Sequence, residues 1–357
     1  MPDAALDELA RHVASAWGDW TGPVVEEAVF GTRDPAAIAS SFGQWVGEHL
    51  GTTVSEVRWY HASVGCTAAL HLADGRSAVV KAHQPRFSLD YLAAATSVQE
   101  HLAAAYFPCA RPLARPAPIG TGAALATATT LLDDDGTATV PDLTSSVSTL
   151  VRLTTYVDGM AHCGYDEGNV RVDRLAPHPL GALAKGSLYP EPYSPAFSFN
   201  NDGSAAWIDR YARIALDACT DHDAPLVVSH GDWTPRNVRG DRFGVSAVFD
   251  LDSLVQTTEA RAAGHAATSW LLGPDDPSHV ASHQLDVAGF EHFLWLHQRI
   301  RDYWFAPHEK RAAWGAALWN LAHLARCEHA VGEERAATAA LRAQGEAIAG
   351  RCAVDPA

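Results

Sequence analysis

HGDWTPRNV at residues 230–238 and VFDLDS at 248–253 decide how the rest of this chain is read. They place one aspartate, one asparagine and two further aspartates on two short segments. Each of these groups is costly to bury alone. Together they can hold a metal and a hydroxyl group. PLVVSHGDW reads as a short apolar strand running into a polar loop, and NVRGDRFGVSAVFDLD as a hairpin turning at Gly240-Asp241. Asp232, between a glycine and an aromatic, can accept a hydrogen bond from a substrate hydroxyl and take its proton late in a reaction. Asn237, five residues on, offers a neutral, hard amide oxygen suited to Mg²⁺. Asp250 follows thirteen residues later, and a hairpin brings the two side by side. One carboxylate and one amide, with the remaining coordination left to water and phosphate oxygens, is how Mg²⁺ is held in phosphoryl-transfer sites.

The chain has 357 residues, for which two lobes or domains are the prior. Hydrophobic residues make up 47%, enough for a sizeable core. The net charge of −16 argues against nucleic acid or an anionic membrane as partner, since both select basic surfaces. It is compatible with a cationic small-molecule acceptor, although most of that charge reads as solvated surface. Six cysteines lie far apart without a CxxC pair, which fits reduced, buried thiols better than a zinc cluster or disulfide framework. No apolar run is long enough for a signal peptide or a bilayer span, so a cytoplasmic protein is expected. Oligomeric state is left open.

Residues 1–53 read as a helical extension, with Gly51 as a C-cap. From Val54 the pattern turns to strands: VSEVRWYHASVGCTAALHLADGRSAVVKAHQP reads as two or three, with a hairpin at Asp74-Gly75. LDYLAAATSVQEHLAAAYF reads as a helix, FPCARPLARPAP as a proline-broken connector, and AALATATTLL and STLVRLTTYV as further strands. The acidic triplet Asp133–Asp135 between them reads as a solvated loop tip, and residues 186–204 as a long surface loop. His162-Cys163 and Asp166-Glu167 read as a loop rather than a metal cluster. From Glu259 onward the chain reads as helical. The implied order is an N-lobe at 54–156, a hinge near 151–159 and a mainly helical C-lobe at 157–357.

HGDWTPRN and VFDLD resemble the catalytic loop and metal segment of the aminoglycoside phosphotransferase and choline kinase family, small-molecule kinases with a protein-kinase-like fold. The resemblance covers roughly residues 55–330. It implies an α+β, two-lobe architecture: a small antiparallel sheet with one key helix, then a larger helical lobe. It implies Asp232 as catalytic base, Asn237 and Asp250 as Mg²⁺ ligands, Asp252 in a second acidic place of variable role, and His230 as a buttress. It calls for a lysine on the third strand to hold nucleotide phosphates and a glutamate on the next helix to pair with it. The chain has three lysines, and Lys81 ends the strand-like run SAVVKA; Glu100 is the matching acid. Ser63 and Gly65 in HASVGCTAA are candidates for a phosphate-covering loop, and a tight turn explains that segment equally well. The adenine is expected against backbone at Leu153–Tyr156, with Thr154 in its middle; ATP is expected, with GTP open.

Substrate contacts are sought in Trp233, Asp252 and Trp270, and among the acids Glu259, Asp275, Asp276, Asp286 and Glu291 of the C-terminal helices. Trp233 reads equally as substrate contact or as the residue that shapes the loop. Such acids are more often solvated. An aminoglycoside-type or other antibiotic, or an amino sugar, is the expected acceptor. Two rivals stand beside the kinase. A metal-dependent glycosyltransferase would use Asp-x-Asp but needs parallel βαβ units before it. A non-catalytic kinase-like binding protein would have lost the base, a metal ligand or the lysine.

Overall fold

The computed structural model describes residues 2–16, 23–132, 139–162, 172–192, 198–199, 203–219, 223–273 and 285–353. By its contacts the chain divides near residue 133 into an N-terminal and a C-terminal unit.

The N-terminal unit begins with α1 (Pro2–Ser15), α2 (Val24–Phe30) and α3 (Pro35–Leu50). Asp34 starts α3 by accepting the Ala36 N–H at 3.1 Å, and Gly51 ends it at φ 69°, as expected for its C-cap. Three strands follow, β1 (Val54–Ala62), β2 (Cys66–Leu72) and β3 (Ser77–His83), then α4 (Leu89–Ala104), β4 (Pro112–Pro118) and β5 (Leu125–Thr130). They form one antiparallel sheet in the order β1-β2-β3-β5-β4. Strand alternation gives the sheet two faces. Ala68, Leu70, Ala78, Val80, Ala82, Ala126 and Ala128 share one core with Leu9, Ile38, Phe42 and Trp45 of the N-terminal helices. The helical extension is therefore the cover of one sheet face. β4 occupies the segment expected as a connector. Its prolines are tolerated because it is an edge strand, with register shifts against β5.

The C-terminal unit holds α5 (Leu143–His162), α6 (Ala206–Ala218), β6 (Leu226–His230), β7 (Val238–Asp241), β8 (Gly244–Val248), β9 (Leu254–Thr258), α7 (Glu259–Leu271), α8 (Val287–Arg301), α9 (Pro307–Ala330) and α10 (Ala336–Ala353). β6 pairs antiparallel with β9, and β7 with β8. Residues 148–157, expected as a strand, are the middle of α5. Val147, Leu150, Val151, Thr154 and Val157 are buried at helical spacing. Asp142 starts the helix by accepting the Ser145 N–H at 2.9 Å, and Thr149 and Thr155 turn their hydroxyls onto the carbonyls four residues back. This tertiary setting overrides the β-propensity of the Val/Thr run. No hinge strand lies at 151–159, and the contact boundary falls near residue 133 instead.

The β7–β8 hairpin also differs: its turn is Arg242-Phe243, two residues beyond the expected place. Asp241 Oδ1 accepts the Phe243 N–H at 2.7 Å, which fixes the reversal there. Asp133–Asp135, Cys163, Asp166, Glu167, Asp275 and Asp276 lie outside the described residues, and of His162 only its place in α5 is described. Among the described residues no helix is long and apolar enough to cross a membrane.

Candidate active site

β6 leads into the loop 231–237, and β8 into the segment 249–253. Three hydrogen bonds stitch the two together. The Gly231 N–H donates to Ser253 O at 2.8 Å and the Phe249 N–H to Asn237 O at 2.8 Å. His230 Nε2–H donates to Phe249 O at 2.8 Å. The other ring nitrogen, Nδ1, accepts the Asp232 N–H at 3.1 Å. These opposite roles fix a single neutral tautomer, so His230 braces both segments at once. Gly231 is needed for the stitching, because a Cβ there would lie 2.7 Å from Ser253 O.

Asp232 is exposed while Asn237 is buried. Asn237 Nδ2 donates to Asp232 Oδ2 at 2.8 Å and to Asp232 O at 2.9 Å. The amide thus aims the carboxylate, and its Oδ1 is left as its acceptor atom. Asp250 directly follows Phe249, which pairs back on Asn237, and it sits in the left-handed region at φ 53°, ψ 42°. An aspartate held there is a strained residue at a site of concentrated charge, a pattern typical of functional positions. Asp252 follows in a short 3₁₀ turn, half-buried. The donor set of amide and carboxylate oxygens suits a hard divalent cation. Among the described residues no group of three or more His, Cys, Asp or Glu gathers as a metal cage, so water and phosphate would supply most ligands.

The other candidates of this unit lie elsewhere. Trp233 is fully buried, its Nε1–H donating to Ser146 Oγ of α5 at 3.0 Å and its ring edge-on to His230 at 5.6 Å. It shapes the loop and is closed to substrate. Ser146 itself carries no signal in the sequence, being 87 positions away. Trp270 is 5% exposed inside α7, a core residue rather than a substrate contact. Glu259 is displaced from the site by register. His230 pairs with Leu254, whereas Thr258 pairs with Leu226, so Glu259 starts roughly 13 Å along the strand from the loop. There it binds Arg301 at 2.9 Å. Burial raises its pKa, and Arg301 opposes that rise. Arg301 also binds Asp158 at 3.0 Å, which ties α5, α7 and α8 together. Asp286 caps α8 through the Gly289 N–H at 2.7 Å, and Glu291 pairs with Arg351 at 2.8 Å. Thr154 is 2% exposed within α5, so its backbone is not an extended hinge for a base.

In the N-terminal unit Lys81 stands on β3 between Val80 and Ala82, which both point into the core, so its side chain leaves by the opposite face. Thr67 and Thr127 flank it across the ladder. His83 shares that face and bonds Thr127 Oγ1 at 2.9 Å; its ring meets Phe87, which in turn meets Tyr91 of α4. Glu100 does not join Lys81. It is exposed, roughly opposite the buried stripe of Tyr91, Leu92, Val98 and Leu102, and makes no ion pair with Lys81 among the described residues. Ser63 and Gly65 form the β1–β2 turn, where Ser63 N–H donates to Gly65 O at 3.0 Å. A Cβ at Gly65 would lie 2.6 Å from Ala82 O, so close backbone packing alone accounts for that glycine.

Comparison with protein-family models and with curated proteins finds no match. Comparison with solved structures does. An amicoumacin kinase in complex with AMP-PNP and Ca²⁺ superposes with a TM-score of 0.56 at 10% identity, over 84% of this chain and 88% of that one. A candidate aminoglycoside phosphotransferase from Ralstonia eutropha gives 0.53 at 15% identity, over 87% and 96%. A microcompartment-associated aminopropanol kinase gives 0.52 at 14% identity, over 88% and 96%. At these identities the likeness establishes a shared α+β fold, the one used by these small-molecule kinases.

Proposed function

We propose that this protein is a small-molecule kinase that moves the γ-phosphoryl group of a nucleoside triphosphate to a hydroxyl of its acceptor. The observation that carries the reading is the Asp232–Asn237 pair, aimed by two hydrogen bonds and stitched through His230 and Phe249 to the segment bearing Asp250. It occurs on a fold whose solved examples include an amicoumacin kinase with an ATP analogue. Asp232 orients the acceptor hydroxyl and receives its proton as the oxygen attacks the γ-phosphorus. The bond from the γ-phosphorus to the bridging oxygen breaks, and the diphosphate leaves with that oxygen and its electron pair. Asn237 and Asp250 would hold Mg²⁺, which supplies charge neutralisation to the phosphates. Lys81 is assigned to the nucleotide phosphates. The protein's contribution is positioning and electrostatics.

The acceptor is read as a hydroxyl compound of the antibiotic or amino-sugar class. That reading is supported by the acidic chain and by structural neighbours named for amicoumacin, an aminoglycoside and aminopropanol. The glycosyltransferase reading lacks its βαβ units: the sheet preceding the Asp-x-Asp segment is antiparallel. The test is Mg²⁺-dependent ATP turnover against a panel of aminoglycosides, peptide antibiotics, amino sugars and amino alcohols, with Asp232→Ala as control. Acceptor-dependent turnover that falls about 10²–10⁴-fold in the variant is the expected result. Turnover unchanged in the variant would remove Asp232 from the chemistry. Nucleotide binding without turnover of any acceptor would favour the non-catalytic alternative.

A further inference from the structure

Asn237 enters the β7–β8 hairpin and Asp250 leaves it, so the hairpin sets how these two residues stand to each other. Its strands have four and five residues and form a two-stranded sheet. A lone hairpin of that size is marginal in water. This one is also irregular. Gly240 pairs with Val245, whereas Arg239 pairs with Ala247, which leaves Ser246 as an extra residue, a bulge in β8. A bulge bends the ladder where it occurs. Here it separates the tip of the hairpin from the end that bears Asn237 and Asp250.

Residues 139–146 hold the hairpin from outside. The Thr139 N–H donates to Gly240 O at 2.8 Å, and the Gly240 N–H donates to Thr139 O at 2.7 Å. Thr139 thus serves as one residue of a third antiparallel strand, attached at the step where the register shifts. Pro141 closes on the same glycine, because a Cβ on Gly240 would lie 2.8 Å from Pro141 Cβ. Only a residue without a side chain allows that approach. Further along the same stretch, Ser146 Oγ accepts the Trp233 Nε1–H at 3.0 Å, and Trp233 directly follows Asp232. One short segment therefore grips both the hairpin of the cation ligands and the loop of the base.

We propose that Thr139 and Gly240 are positioning residues for the cation site, a backbone clip that fixes the bulged hairpin and so keeps Asp250 in step with Asn237. The inference rests on the kinase reading, in which those two residues hold Mg²⁺. Neither Thr139 nor Gly240 touches the cation or the substrate. They act through the hairpin, as partners behind metal ligands do when they fix a ligand's orientation. The clip is a backbone device, so the identity of the Thr139 side chain matters little, whereas the Thr139 N–H and the bare Cα of Gly240 matter.

Calorimetric titration of AMP-PNP at a series of Mg²⁺ concentrations tests this without knowledge of the acceptor. Thr139→Pro removes the N–H, and Gly240→Ala inserts the Cβ. Each should weaken the apparent Mg²⁺ affinity by about 10–100-fold. Thr139→Ala keeps both backbone bonds and loses only a hydroxyl contact to Gly240 O at 3.3 Å, so it should stay within about twofold of wild type. A lowered melting temperature with unchanged Mg²⁺ affinity in Thr139→Pro and Gly240→Ala would make the clip a stabilising contact only and overturn the proposal. Hydrogen exchange on wild type decides the matter apart from any variant. Coupling between two sites is reciprocal, so Mg²⁺ with AMP-PNP should slow exchange of the Thr139 and Gly240 amides more than AMP-PNP alone does. Equal exchange in the two conditions would overturn the clip and leave the kinase reading in place. Wild type that binds AMP-PNP no better with Mg²⁺ than without it would remove the cation site, and both readings with it.

Discussion

Asp250 bears the sharpest conflict between stability and chemistry at the scale of a single residue. Its φ of 53° puts an L-residue in the left-handed region, at a cost of about 1 kcal/mol that glycine would not incur. Asp250→Gly should therefore be as stable as wild type or more so by about that amount, yet lose Mg²⁺-dependent nucleotide binding. Urea unfolding and calorimetry on one preparation check both halves. A variant that is destabilised, or that binds as before, would mean the conformation is not a strain held for a ligand. Asp232, Asn237 and Asp250 were readable as a group because their geometry is local: one loop and one hairpin bring them together. Glu100, Glu259 and Trp270 were not. Which side of a helix faces a site depends on what packs against it. Glu100 turns outward, Trp270 inward, and Glu259 starts its helix at the wrong end of β9.

Among the elements, α5 shows how the loop is held from outside its own segment. Ser146, one turn into the helix, accepts the indole N–H of Trp233, and both side chains are fully buried. Ser146→Ala leaves a buried donor unpaired, which should cost about 1–3 kcal/mol. Trp233→Phe removes the donor, and a lone Ser146 hydroxyl can turn to a carbonyl of its own helix. The two changes should therefore couple, with the double variant about 1 kcal/mol less destabilised than the sum of the singles. Denaturant midpoints of the four proteins measure this, and strict additivity would show that the bond contributes nothing. The same helix explains a misreading. A run of Val and Thr carries strand propensity, and only the Asp142 cap and the buried stripe make it helical. β4 was hidden for the converse reason: three prolines, Pro112, Pro116 and Pro118, mask a strand that survives because it lies at an edge.

At the scale of the whole molecule, and among the described residues, acid sensitivity is carried by four histidines of the C-terminal unit: His178, His265 and His297 are buried, and His323 is half-buried with its Nε2 enclosed. His178 meets His265 at 4.5 Å and Trp319 at 6.0 Å, and His323 stacks on Trp319 at 5.1 Å and on Tyr189 at 5.9 Å. His297 stands apart, 3.9 Å from Glu259, whose charge Arg301 already offsets at the shorter distance of 2.9 Å. Burial pushes His178 down to about 3, and His297 and His323 to about 4. Burial and its histidine neighbours hold His265 well below the usual range. The unfolded chain titrates these groups near 6.5, so below that pH it binds protons that the folded protein refuses. Stability is therefore full above about 6.5 and falls as the pH drops toward the folded values. Each histidine contributes a slope of about 1.4 kcal/mol per pH unit. Most of this loss precedes the ordinary carboxylate range, which separates it from carboxylate titration. Urea midpoints measured from pH 8 to pH 5 should be flat at first and then decline steeply. His323→Phe removes a ring nitrogen, Nε2, that is buried without a hydrogen-bond partner, and keeps an aromatic plane between Trp319 and Tyr189. It should lower the slope by one histidine's share without lowering stability at pH 8. An unchanged slope in that variant would place the acid response outside this cluster.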